Sequence, residues 1–573
     1  MGTIKMNLAT SVFALSCMLS GCGDTPPQAS EKQTDNNNSN AHVATKVLYN
    51  ADVYTVNGQQ PWAQAVALQD NKIVFVGSND DVQDFIGATT SVLNLEGKMV
   101  LPGFHDVHMH PLESASTATQ FSIPSDATTN DYIDAIYNAS VQNPDATWLI
   151  GYGHEIATLL AMRDSPLSVI NEAVKDRPVI IMEQTSHSMW VNSKALELAG
   201  ITSQSKDPIG GVIGRDEEGY LDGILYDNAG NQVMELAMQS LPDAQQQDYL
   251  GLIEYTMPEL NKAGITSISD ARTYWQRGHI ETWQRVADED KLSLRVNLGL
   301  WAYPQMNDEK QIAKLKSLYQ SDQNSLLKVN QVKFYMDGIL VNTTAAMHEP
   351  YAINWLDLYG NKGLNYFSQA RIEKYLTALE NQGFDFNIHA IGDRGISEAL
   401  NAIGNASMGK SRHRITHLEV IDSDDYKRFA QLNVIADAQV AGEFTNPAHW
   451  PEVAEFIGTE RAQDLVPIKS LVTAGARLTL SSDWNVSTFD PLVGLMHAVT
   501  RAPQAITLEQ AIAAYTINSA YAMRQDDLVG SIEVGKHADL VVLDKNLFNI
   551  KPDEITSVKV MMTLLDGEQV YKR

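Results

Sequence analysis

Gly103-Phe104-His105-Asp106-Val107-His108-Met109-His110-Pro111 places three histidines within six residues, directly after the apolar run Met99-Val100-Leu101. A strand turns successive side chains to opposite faces, so His108 and His110 share one face. Two imidazoles on one face at a strand's end can share a metal ion. Whether these do depends on what the rest of the chain brings to the same place.

Short apolar runs that close on polar residues recur along the chain. They are GITSISDA (264–271), SLRVNLGLW (293–301), QVKFYMDG (331–338), DFNIHAIGD (385–393), HRITHLEV (413–420), NVIADAQ (433–439) and RLTLSSDW (477–484). With MVLPGFHDVHMH they make eight, and helical stretches alternate with them. That is the sequence form of an α/β protein built on a (β/α)8 TIM barrel. Thr507-Leu508-Glu509-Gln510 reads as a capping box, and Leu508, Ala511, Ile512 and Tyr515 continue at helical spacing. Residues 112–260 are too many for one crossover. They read as an insertion after the first barrel strand, with strands of its own at TWLIGYG and PVIIMEQ.

Either side of the barrel, at 43–99 and 524–573, the pattern is strand-like. KVLYNADVYTV and QAVALQDNKIVFVG alternate or run apolar, with Asp70-Asn71 as a hairpin turn. Asp539 to Leu543 and Val558 to Leu565 are similar runs. The two chain ends are expected to pair into one small β-sandwich, the alternative being two separate β caps. The barrel is then expected over 100–523.

Composition narrows the function classes. The 573 residues carry a formal net charge of −28, which opposes binding to nucleic acid or anionic lipid. The two cysteines, Cys17 and Cys22, both lie near the N-terminus, so a metal in the folded body must be held by nitrogen and oxygen donors. Lys5, the apolar stretch Leu8 to Leu19 and Leu19-Ser20-Gly21-Cys22 read as a signal peptide over 1–22 ending in a bacterial lipobox, with Cys22 lipidated. A plain secretory signal is the alternative. Residues 23–42 contain no aliphatic side chain larger than alanine and are expected to be a disordered tether. The expected location is the envelope of a Gram-negative bacterium, lipid-anchored in the outer membrane and facing the periplasm. Contact with the membrane is then through the lipid alone, and a homodimer is left open.

In a barrel of this kind the C-terminal strand ends carry the chemistry. There the sequence offers His108 and His110 on strand one, Lys333 on strand four, His389 on five, His417 on six and Asp483 on eight. Neutral imidazole nitrogen and carboxylate oxygen are ligands that zinc favours. Asp483 can also take a proton from a metal-bound water and deliver it to a departing nitrogen.

This order of His-x-His, Lys, His, His and Asp resembles the metal-dependent amidohydrolase superfamily. HSMWVNSKAL (187–196), GITS (264–267), KFYMDG (333–338) and HAIGD (389–393) resemble the branch that includes N-substituted formamide deformylases, amidohydrolase family 3. The resemblance runs from about Val43 to Val570. It implies one or two divalent ions, zinc being expected, on His108, His110, Lys333, His389, His417 and Asp483. It also implies a Lys333 that reacts with carbon dioxide to form a bridging carbamate, against an unmodified lysine and a one-metal site. The implied reaction is hydrolysis of a non-peptide C–N bond in a small amide, N-formyl or N-acyl amine or cyclic amide. The alternatives are ester or lactone cleavage at the same site, or a silent binding or regulatory protein.

The remaining residues are read more plainly. His105 is taken as structural. His187 either polarises a substrate carbonyl or caps its loop, and Asn192-Ser193 start a helix. His154 and Glu155, where the family more often has Trp-Asp, are expected to line the mouth with Trp484. Trp190 and Trp301 are substrate walls or core. Asp337 and Asp393 are candidates to orient metal-bound imidazoles, with Asp393 favoured.

Overall fold

A computed structural model of the chain describes residues 43–117, 120–124, 127–356, 358–442 and 445–573. Cys22 and the expected signal and tether segments lie outside the described residues. No helix among the described residues is long and apolar enough to cross a membrane.

Eight parallel strands form one sheet, in chain order β1 (Phe104–Met109), β2 (Ile265–Thr273), β3 (Arg295–Trp301), β4 (Leu327–Tyr335), β5 (Asp385–Ala390), β6 (Arg414–His417), β7 (Ile435–Ala438) and β8 (Arg477–Leu480). Each pairs with its predecessor. Backbone bonds from Asp483 N to His108 O (2.8 Å) and from His110 N to Trp484 O (2.5 Å) then join the extension of β8 to β1. That contact closes the barrel and puts the first and last strand ends side by side. Burial of both faces explains the near-continuous apolar runs of these strands.

The chain ends meet as expected. Leu540–Leu543 pairs antiparallel with Met99–Pro102, within a six-stranded sheet that also holds Asp52–Tyr54, Trp62–Ala63, Val560–Leu565 and Glu568–Lys572. A second sheet of four strands holds Lys46–Tyr49, Ala65–Gln69, Lys72–Gly77 and Ser91–Asn94. Leu48, Val66, Leu68 and Ile73 share one buried cluster with Val100, Leu540, Val542 and Leu564. Each such buried aliphatic side chain contributes roughly 1.5–3 kcal/mol, and this core joins the two chain ends in one sandwich rather than two caps. Asp70-Asn71 makes the hairpin turn, with Gln69 opposite Lys72.

One boundary needs correction. MVLPGFHDVHMH is two strands, not one: Met99–Pro102 belongs to the sandwich and Phe104–Met109 to the barrel. The break is at Gly103, where a Cβ would lie 2.3 Å from Thr266 Oγ1 on β2. Only a residue without a side chain lets the strand change sheets against so close a neighbour.

The insertion builds a fourth sheet, of six strands, including Leu149–His154, Val179–Glu183, Ser188–Val191 and Leu221–Asp227. Asn192 caps the helix Ser193–Leu198 by accepting Ala195 N at 3.0 Å. The capping box at Thr507 opens the helix Leu508–Tyr515.

Candidate functional site

Register brings the six expected ligands to one end of the barrel. Ligand atoms of His108, His417 and Asp483 all lie within 4.8 Å of one another. His110 Nε2 is 2.9 Å and His108 Nε2 3.3 Å from Asp483 Oδ1. The ring of His389 is 4.3 Å from that of His417, centroid to centroid. Lys333, inside β4, sets its Nζ 3.0 Å from His108 Nε2.

Two of the imidazoles have their tautomer fixed by what stands behind them. His108 Nδ1 is 2.9 Å from Thr416 Oγ1, and that hydroxyl donates to Asp437 Oδ2 at 2.7 Å. A hydroxyl already donating to Asp437 accepts the Nδ1 proton, which leaves the Nε2 lone pair of His108 facing Lys333 and Asp483. His389 Nε2 bonds Gly338 O at 3.1 Å, so its Nδ1 carries a lone pair with no partner, although the atom is buried. Buried polar atoms are nearly always paired, and an unpaired one next to a cluster of the same kind points to a missing ligand.

The charge states suit a metal. Burial, and then the neighbouring Lys333, holds His108 well below the ordinary imidazole range. Burial also lowers His110, His389 and, to about 3, His417. All four are neutral at pH 7, the form that ligates. Burial takes Lys333 well below an ordinary lysine, which favours the neutral amine, the form that attacks carbon dioxide. Asp483 is well below its usual range: burial works against this, but the adjacent imidazoles of His108 and His110 prevail. This donor set fits a divalent ion bound by nitrogen and oxygen.

The backbone is strained here. His417 (φ 80°), Leu418 (φ 57°) and Asp483 (φ 56°) are left-handed without being glycine. Each such residue costs roughly 1–3 kcal/mol and persists where surrounding structure holds it. His417 and Asp483 both line one cavity. His187 reaches the same cavity from the insertion, its Nδ1 2.7 Å from Asp227 Oδ1 and its ring 5.2 Å from that of His389.

Other expectations are corrected. His154 is fully buried in the insertion sheet, with Nε2 3.1 Å from Ser188 Oγ and its ring against Trp190. Glu155 sits at the start of the helix Ile156–Leu160 and accepts Gln184 Nε2 at 3.3 Å. Trp484 packs on Phe489 and Tyr255. None of the three is among the residues lining the cavity. Trp190 and Trp301 are core. His105 is structural, bonded through Nδ1 to Gly103 O at 3.0 Å. Asp393 accepts His348 N at 2.7 Å and serves a loop. It is Asp337 that stands behind the site, 3.7 Å from His389 Nε2 and accepting the backbone N–H groups of Ala346, Ile391 and Gly392.

Sequence reasoning missed a second layer. Asp106 accepts His108 N and Ser482 N, tying β1 to the extension of β8. Arg272 grips Glu113 with two nitrogens and donates to Tyr335 Oη at 2.8 Å, and the Tyr335 ring stacks 4.1 Å from that of His389. Glu419 lines the cavity, its carboxyl pushed up to about 8 by burial and by the nearby Asp337 and Asp483. A carboxylate at a barrel strand's end was the available signal for Asp437 and Glu419.

The chain matches the amidohydrolase family over residues 91–571. It is 27% identical over 563 residues to Protein LONG AFTER FAR-RED 3 of Arabidopsis thaliana, covering 92% of each chain. It is 25% identical over 544 residues to N-substituted formamide deformylase of Arthrobacter pascens, covering 92% of this chain and 98% of that one. The crystal structure of an uncharacterized metal-dependent hydrolase from Pyrococcus horikoshii OT3 superposes with a TM-score of 0.70 at 23% identity, over 89% of this chain and 99% of that one. That likeness shows a shared fold.

Proposed function

The chain belongs to the amidohydrolase family, and from that premise we propose that it hydrolyses the C–N bond of a small amide, N-formyl amine or N-acyl amine, with a divalent ion, zinc in the first place, at the barrel mouth. The observation that carries this reading is the convergence of buried lone pairs, on the neutral imidazoles of His108 and His417 and on the carboxylate of Asp483. His110 and His389 complete the donor set, and Lys333, carboxylated to a carbamate, would supply an anionic oxygen between two ions.

A divalent ion there would polarise the substrate carbonyl and lower the pKa of a bound water from about 15.7 to roughly 7. The chain's own residues do the rest. Asp483 Oδ1 is occupied by His110 and His108, while Oδ2 has no partner among the described residues. Oδ2 is therefore the atom to receive the proton of the attacking water and return it to the amide nitrogen as the C–N bond breaks. His187, held through Nδ1 by Asp227, presents Nε2 to the substrate. It accepts from an amide N–H when neutral and donates to the carbonyl oxygen when protonated.

The test is to add zinc or manganese to metal-free protein and assay small formamides and acetamides, beside His108→Ala. Turnover that appears with metal in the wild type alone is expected. Equal turnover in both proteins overturns the proposal.

A further inference from the structure

The cavity is built unevenly. Part of its lining is aliphatic: Ile339, Leu340, Val341, Ile391, Val453 and Val486. The rest is polar, with the histidines, Asp483 and Thr185, and no lysine or arginine lines the space. Glu419 is the remaining polar group of the lining. It follows His417 by two residues, where the backbone is pinned by Val466 N to Glu419 O (2.9 Å) and Val420 N to Ile391 O (3.0 Å). Its side chain thus starts from a fixed point on the wall. The other carboxylates near it are engaged, Asp337 by three backbone N–H groups and Asp483 by His108 and His110. The Glu419 carboxyl has no hydrogen-bond or ion-pair partner among the described residues, and no protein cation faces it in the cavity.

Glu419 is only partly buried, and a carboxyl group without a protein donor in such a cavity is open to one from a ligand: a ligand that displaces its water without supplying a donor leaves it unpaired at a cost in free energy. We infer that Glu419 selects the substrate: the site takes an amide whose apolar chain ends in an N–H donor, either an ammonium or a neutral carboxamide, over one whose chain ends in a methyl group. This rests on the reading of the site as an amide hydrolase. The scissile group lies at the histidines, the chain runs along the aliphatic wall, and the terminal N–H meets Glu419. A chain that fills the cavity without a donor leaves the carboxyl unpaired, and that penalty is as much a part of the selection as the bond the donor makes.

The experiment uses zinc-loaded full-length protein and formamides HCO–NH–(CH2)n–X, with n from 2 to 5 and X methyl, carboxamide or ammonium. Binding is measured by calorimetry and turnover beside it, for wild type, Glu419→Gln and Glu419→Leu. In the wild type the better of the two donor-ended ligands should bind about 10-fold more tightly than the methyl-ended one. Glu419→Gln should keep the carboxamide preference and lose any for ammonium, and Glu419→Leu should bring the methyl-ended ligand to the top. A methyl-ended ligand bound as well as the donor-ended ones, a ranking unchanged in Glu419→Leu, or no ranking at all, including no binding, overturns the inference. Turnover separates the two readings. An intact ranking without turnover defeats the hydrolase alone, and turnover with a flat ranking defeats the role of Glu419 alone.

Discussion

The two ends of the barrel bury similar groups and treat them in opposite ways. At the N-terminal end Arg295 opens β3 and forks onto Asp539 at 2.7 and 3.0 Å, with Asp566 as a second partner. Asp566 also holds His537, and Asp566 N donates back to Asp539 at 2.9 Å. Arg295, Asp539 and Asp566 each meet an opposite charge, and the network ties barrel to sandwich. At the C-terminal end Lys333 and four imidazoles lie as deeply buried, yet Nδ1 of His110 and of His389 has no hydrogen-bond partner. Burial therefore does not separate structure from function in this chain. The pairing does: a satisfied network fixes a fold, and converging lone pairs left bare fix a site.

The comparison breaks first, and by most, at Asp483. Asp483→Asn should lower kcat/KM on whichever amide is turned over by roughly 10²–10⁴-fold, while the melting temperature moves little. At the opposite end Arg295→Ala should do the reverse. It leaves Asp539 buried without its cation and should cost roughly 3–5 kcal/mol in denaturant unfolding, with kcat per folded molecule unchanged. If Arg295→Ala lost activity at full stability, the division between the two ends would fail.

Much of this division could be read from the sequence. Parallel strands buried on both faces are continuous apolar runs, so the eight strands and their order were legible, and so were ligands lying at strand ends in a fixed order. Residues that act across the barrel were not. Asp437 stands in NVIADAQ as one more polar residue; only the pairing of β6 with β7, Thr416 beside Asp437, brings it behind His108. The break at Gly103 hides in an unbroken apolar run because its cause, Thr266, is 163 residues away in the chain. His154 misleads for the same reason. A polar residue after an apolar strand reads as a rim residue, and in the insertion sheet that position faces Trp190.

A finer break lies in that second layer. Thr416→Val removes the hydroxyl between His108 Nδ1 and Asp437, which frees the ring to take its other tautomer. Zinc affinity, measured by chelator competition, should fall about 10–100-fold. Asp437→Asn should act in the same direction, since the amide holds the Thr416 proton less strongly. An unchanged affinity in both would make this layer part of the barrel's packing and not of its site.

The smallest effect sharpens the comparison most, because it sets two depressed carboxylates side by side. Glu380 is buried, like Asp483, and held low, to about 2. Burial opposes the shift, but the bond to His413 and those to Met408 N (2.7 Å) and Ser407 Oγ (2.9 Å) outweigh it. Its folded pKa thus lies below the unfolded value of about 4.3. The stability it contributes is complete above that unfolded value and is lost as pH falls through about 2. Glu380→Gln should cost about 1 kcal/mol near pH 6. The gap to wild type should narrow below about pH 4, read from denaturation midpoints across that range. Turnover at pH 7 should not change. Asp483→Asn gives the opposite pair of results, lost turnover with stability kept, because the groups that depress Asp483 are the ligand histidines and the bonds that depress Glu380 come from a loop.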